Sequence, residues 1–188
     1  CMIAANQRIY VTTYDGGSTA ATTCKGRVFE LDPEDGSLFQ IGSRFPISPD
    51  TQRIPYALAW HMGRLWTGTV WRSGGADVAG NVQWFRPNID TAWTIDRTQA
   101  AGRGCSFLYS FQGQLFAGNW TGTGTSARVE VRDSVGAWTA GLTVGTGTQS
   151  LFMNAVEFSS AQYLTLYDQT ASVSTVRKFN GTTWSTAL

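Results

Sequence analysis

Residues 106–124 read SFLYSFQGQLFAGNWTGTG. An apolar run, a polar Gln112-Gly113 step and a second apolar run closing on Trp120 spell two short strands joined by a tight turn. Three other stretches share this layout: CMIAANQRIYVTTYDGG at 1–17, YALAWHMGRLWTGTVWRSGG at 56–75 and NAVEFSSAQYLTLYDQT at 154–170. Their turns fall at Asn6-Gln7, Met62-Gly63 and Ser160-Ala161. The second strand is anchored at Ile9, Leu65, Leu115 and about Leu164. Self-similarity at a period near 50 residues is the signature of a repeat architecture.

The second half of each unit repeats as well. GRVFELDPEDGSLFQIG (26–42), GNVQWFRPNIDTAWTID (80–96), ARVEVRDSVGAWTAGL (127–142) and STVRKFNGTTWSTAL (174–188) each give an alternating strand, a turn, and a strand opening on a large aromatic. That aromatic is Phe39, Trp93, Trp138 and Trp184. Alternation such as Val129-Glu130-Val131 has the period of two of a half-buried strand, and no stretch carries a capped helical period. One unit is thus strand A, turn, B, longer loop, C, turn, D. A lone four-stranded meander leaves apolar surface on both faces, and packing copies face to face around an axis covers it. Two stacked sandwiches would leave the four-fold repeat unexplained. The fold expected is an all-β propeller of four four-stranded antiparallel blades, at about 1–50, 54–98, 105–143 and 152–188. Such a set either closes alone or forms part of a larger ring, with the aromatic of strand D sealing neighbouring blades.

Bulk properties fit this picture. The chain has 188 residues, 42% hydrophobic and 13% aromatic with eight Trp, enough for a packed core. Charged residues are 14%, against roughly 25% in ordinary soluble domains, and Gly, Thr and Ser take their place. A net charge of +1 gives no electrostatic footprint for nucleic acid, and no apolar run is long enough to insert in a membrane. The three cysteines, Cys1, Cys24 and Cys105, contain no C-x-x-C pair and suggest neither a zinc site nor a disulfide framework.

Two segments, Phe179-Asn180-Gly181-Thr182-Thr183-Trp184 and Gly113-Gln114-Leu115-Phe116-Ala117-Gly118, resemble blade motifs of kelch-like propellers in bacterial and bacteriophage structural proteins. Gly16-Gly17 and Gly74-Gly75 approximate the kelch double glycine in two units, and the other two lack it. The resemblance implies a propeller fold and a binding or scaffolding role, on a virion as a phage tail or capsid-associated part, or at a cell surface.

Catalytic signals are sparse. His61 is the only histidine, which excludes multi-histidine metal sites, and its place at a strand end reads as a turn or surface residue. Asp32, Glu34 and Asp35 are spaced like a calcium loop, but Pro33 and Gly36 make a turn the stronger reading. Glycoside hydrolysis needs two carboxylates facing one pocket; Glu130, Asp133 and Glu157 are the candidates. The expectation is a non-catalytic chain with no metal and no cofactor. The alternative is a fragment of a glycoside hydrolase or sialidase-like propeller enzyme.

Loop lengths are uneven. The A–B and C–D turns are short, whereas B–C and D–A connections are long and emerge at the same end of a meander, where binding residues gather on loops. Strand B also ends in an aromatic in every unit: Tyr14, Trp71, Trp120 and Tyr167. These four are the candidate ligand-binding residues, suited to stacking on sugar rings or anchoring a protein. The partners expected are a protein or a glycan, with assembly onto further blades or other chains.

Overall fold

The computed structural model describes residues 1–14, 26–42, 45, 47–48, 51–72, 79–100, 103–121, 127–144, 150–168 and 172–187, some strand-end residues by backbone alone. The described residues form strands and turns with no helix. The first sheet runs β1 (Met2–Ala5), β2 (Arg8–Tyr14), β3 (Gly26–Leu31) and β4 (Leu38–Ile41). The second is β5 (Ile47–Ser48), β6 (Thr51–His61), β7 (Arg64–Arg72), β8 (Asn81–Phe85) and β9 (Thr94–Thr98), so a two-residue strand is added to its edge. The third is β10 (Arg103–Phe111), β11 (Gln114–Thr121), β12 (Ala127–Arg132) and β13 (Trp138–Val144). The fourth is β14 (Ser150–Phe158), β15 (Ala161–Asp168), β16 (Val173–Phe179) and β17 (Trp184–Thr186). In every sheet, spatial order equals chain order. The chain divides into two compact units, Cys1–Cys105 and Ser106–Leu188.

The hairpin joining the first two strands of each repeat has positive φ at both central residues: Asn6 and Gln7, Met62 and Gly63, Gln112 and Gly113, Ser159 and Ser160. That is the mark of the type I′ turn, whose twist matches the strands it joins. The fourth turn is therefore Ser159-Ser160, one residue earlier than the sequence suggests, and Phe158 pairs with Ala161. Neither residue is Gly or Asn, so composition gives no marker there. Counted from this turn, Gln162, two residues before Leu164, takes the repeat position of Ile9, Leu65 and Leu115. Gln162 is fully buried.

Each unit has its own core. In the first, Tyr10 and Val28 of the first sheet pack against Leu58 and Leu65 of the second, with Phe45 between. Tyr10 stacks on Trp60 at 6.1 Å, and Trp93 leans on Phe45 at 5.3 Å and Phe85 at 5.2 Å. In the second unit Phe107, Phe111 and Phe116 of the third sheet meet Leu164, Leu166 and Phe179 of the fourth, and Trp184 closes the edge.

Register gives each sheet two distinguishable faces. Tyr10, Trp66, Phe116 and Tyr163 follow the turn by the same three residues and define a leading face. Ile9, Leu65, Leu115 and Gln162 define the trailing face. In both cores the leading face of the earlier sheet packs on the trailing face of the later one. The aromatics opening the last strand lie on the trailing side: Trp184 pairs with Phe179, and Trp138 with Arg132. The matching position in the first sheet is Leu38, paired with Leu31, not Phe39. Phe39 pairs with Glu30, lies on the other face and is 59% exposed.

His61 is buried, contrary to the surface position expected for it. It ends β6, where its ring meets that of Trp66 edge-on at 6.1 Å, and its carbonyl accepts the indole N–H of Trp66.

Candidate functional site

Two ends of the sheets offer functional surface. At one end the strands are joined by the two-residue turns. At the other the connections are longer: β2 ends at Tyr14 and β3 begins at Gly26, β7 ends at Arg72 and β8 begins at Asn81, β11 ends at Thr121 and β12 begins at Ala127. The links between sheets leave from this same end, since each sheet is an antiparallel meander.

The four candidate binding aromatics sit there. Tyr14, Trp120 and Tyr167 each lie seven residues after the hairpin turn, at one repeat position, and Trp71 lies one residue later, where Val70 takes the equivalent place. Tyr14 is paired with Gly26, Trp71 with Arg53, and Tyr167 with Leu151 and Ser174. Tyr167 is half-buried. The side chains of Tyr14, Trp71 and Trp120 lie outside the described residues, as do the connecting segments 15–25, 73–78, 122–126 and 169–171.

The tight-turn end of the first sheet holds a cleft of about 450 Å³, lined among others by Asn6, Arg8, Glu30, Asp32, Glu34 and Phe39. Arg8 forms an ion pair with Glu30 across β2 and β3. Tyr10 pairs with Glu30 in the ladder and is fully buried, and its hydroxyl has no hydrogen-bond partner among the described residues. Burial, and then the Glu30 charge, push the Tyr10 phenol above its ordinary pKa, against the opposing pull of Arg8. A tyrosine nucleophile needs the reverse shift. This Arg–Tyr–Glu grouping escaped the sequence reading because the residues belong to two strands and only the β2–β3 register brings them together.

Most other carboxylates serve structure. Asp32 accepts the Glu34 N–H and Asp35 the Ser37 N–H, so the calcium-like segment is a pair of side-chain-capped turns. Asp133 accepts the N–H groups of Val135 and Ala137. Asp90 takes two nitrogens of the Arg86 guanidinium, which with the backbone N–H of Arg86 holds its carboxyl below the usual carboxylate range. Glu130 is buried at 9% exposure on β12, and Glu157 lies beside Tyr109, whose phenol is raised by burial and then by that charge. Among the described residues, no three His, Cys, Asp or Glu side chains come together as a metal site.

With the sheets and this geometry in place, comparison with solved structures decides the architecture. The sialidase of Trypanosoma rangeli in complex with sialic acid superposes with a TM-score of 0.63 at 12% identity, over 95% of this chain and 36% of that one. A protein named YjhT gives 0.61 at 12% identity, over 100% and 64%. A prolyl endopeptidase, from a study of inter-domain dynamics in two such enzymes, gives 0.56 at 13%, over 96% and 26%. The four sheets are β-propeller blades. At such identities the likeness concerns fold alone, and the chain spans less than two thirds of the length of each of these proteins. No protein-family model and no curated protein sequence matches the chain.

Proposed function

We propose that the chain is a recognition propeller that binds a glycan or an uncharged protein surface at the long-connection end of its blades, without catalysing a reaction. The observation that carries this reading is the repeated aromatic at the end of the second strand, held at one register position in blades 1, 3 and 4. An aromatic ring offers large contact area with few torsions to freeze. The Thr-, Ser- and Gly-rich connections supply hydrogen-bonding groups without the desolvation cost of charges. The kelch-like resemblance adds the setting, a virion-associated or cell-surface part.

A glycan array, followed by titration of the best ligand, tests the reading. Trp71→Ala and Trp120→Ala, each shown to be folded, should weaken binding at least about tenfold, as loss of an anchor residue does. Full affinity in both variants would remove the anchors and the reading with them.

A second reading, a propeller hydrolase, is favoured by Arg8 and Glu30 lining the 450 Å³ cleft, with Tyr10 paired to Glu30 behind them, and by the likeness to a sialidase. Against it stands the Tyr10 phenol, which burial keeps protonated. Turnover of fluorogenic sialosides or other aryl glycosides that is abolished by Glu30→Gln and Tyr10→Phe would establish it over the first.

A further inference from the structure

Arg8 and Arg64 hold the same place in the repeat, the first residue after the two-residue turn. In blade 1 the ladder partner of Tyr10 is Glu30, whose carboxylate forms an ion pair with Arg8. In blade 2 the ladder partner of Trp66 is Trp84, so an indole stands where blade 1 has its carboxylate. The Arg64 guanidinium lies over that indole, 4.1 Å from the ring centroid. It has neither a hydrogen bond nor an ion pair among the described residues.

Asp90 does not supply the missing acceptor. It takes two nitrogens of the Arg86 guanidinium together with the Arg86 backbone N–H. Its carboxyl is held low first by the Arg86 hydrogen bonds, and the Arg64 charge adds only the last pull. Arg86 also lies over Trp84, at 5.7 Å, so the group carries two cations and one acid. A guanidinium laid flat on a ring keeps its N–H edge free for an acceptor in its own plane, and a carboxylate matches that fork with two bonds. Two exposed apolar side chains stand at the same edge of the sheet. Met62, in the turn between β6 and β7, is 59% exposed, and Ile89, in the turn between β8 and β9, is 68% exposed. Tryptophan, arginine and methionine are residue types that protein interfaces concentrate.

We infer that this turn edge of blade 2 is a docking site for an acidic peptide segment of a partner protein. An Asp or Glu carboxylate of that segment seats on the Arg64 fork, and its apolar neighbours seat on Met62 and Ile89. Charge complementarity selects the acid, since the carboxylate that blade 1 supplies from its own β3 is the group that blade 2 lacks. The apolar flanks favour a peptide over a sugar acid, whose hydroxyl groups would be desolvated against Met62 and Ile89 without partners. The site lies at the opposite end of the sheet from Trp71, so it stands or falls apart from the reading proposed for the long-connection end.

Panning a displayed library of random peptides against the full chain tests it. The selected peptides should carry Asp or Glu beside an apolar residue, lose binding when that acid is changed to its amide, and bind less tightly as salt rises. Arg64→Gln and Arg64→Lys, each shown folded by far-UV circular dichroism, should weaken binding at least about tenfold; lysine keeps the charge without the fork. Ile89→Ser, a change at an exposed turn position, should weaken it as well. Failure to select any acidic peptide overturns the inference, as does full affinity in any of the three variants. Tighter binding of glucuronate-terminated oligosaccharides than of every selected peptide would also overturn it, by assigning the fork to a sugar acid.

Discussion

Trp184, on the last strand of blade 4, meets Phe116, on the second strand of blade 3, edge to face with ring centroids 6.2 Å apart and planes at 78°. The same indole lies 4.8 Å from the ring of Phe179. Truncating it uncovers two aromatic neighbours at once. Trp184→Ala should lower unfolding stability by about 2–4 kcal/mol, below the full cost of a completely buried indole because Trp184 is only half-buried. The denaturant midpoint at unchanged slope measures this.

Tyr10 makes alkaline stability legible in one substitution. Its folded pKa lies above the ordinary phenol value, chiefly through burial. Above pH 10 the unfolded chain releases this proton while the folded one keeps it, so stability present at lower pH is lost as pH rises through the folded pKa. Tyr10→Phe should flatten that alkaline decline. Its hydroxyl is buried without a partner, so the same variant should be unchanged or up to about 1 kcal/mol more stable at neutral pH. Denaturant titrations at pH 7 and pH 10.5 separate the two effects.

On the acid side the sign reverses at Asp90. Its carboxyl is held low by Arg86, so its contribution is present above the ordinary carboxylate pKa and disappears as pH falls through the lowered value. Arg86→Ala should raise the Asp90 pKa toward the ordinary value, read by NMR titration of the carboxyl carbon.

Gly80 and Gly63 are both glycines for different reasons. A Cβ at Gly80 would come within 2.1 Å of the Thr69 carbonyl oxygen, whereas one at Gly63 would meet nothing within 4 Å. Gly63 instead has φ of +72° in its I′ turn. Gly80→Ala should cost about 3 kcal/mol or more, the upper end for overpacking, because backbone must move. Gly63→Ala should cost about 1 kcal/mol, the price of a left-handed alanine. Equal costs, measured by thermal denaturation, would contradict the close approach at Gly80.

The blade count and strand order were legible because a period-two pattern repeated four times leaves little freedom in strand placement. Single-residue detail was less so. The Ser159-Ser160 turn carries positive φ on residues that advertise nothing, and the buried polar Gln162 at the anchor position draws the apolar alignment two residues on, to Leu164. Phe39 was likewise matched to the three tryptophans by size, although its pairing with Glu30 puts it on the opposite face from Leu38. His61 reads as a turn residue from its place beside Met62-Gly63, and residue types alone do not show that its ring is buried against Trp66. The Arg8–Glu30 pair depends on cross-strand register, which residue types alone do not give. The aromatic series at the second-strand ends was visible from spacing, with Trp71 one position out of step.

Because strands pair only with their neighbours in sequence, a blade's hydrogen-bond ladder can be completed as soon as its last strand leaves the ribosome. Its apolar faces cannot. Blade 1 must wait for Leu58 and Leu65 before Tyr10 is covered, and blade 3 for Leu164 and Phe179 before Phe116 is covered. Each finished ladder therefore spends the time needed to synthesise the next blade as a hydrogen-bonded sheet with a sticky side. The interval of greatest danger for the nascent chain falls between blades, and that is where a holding chaperone would be needed.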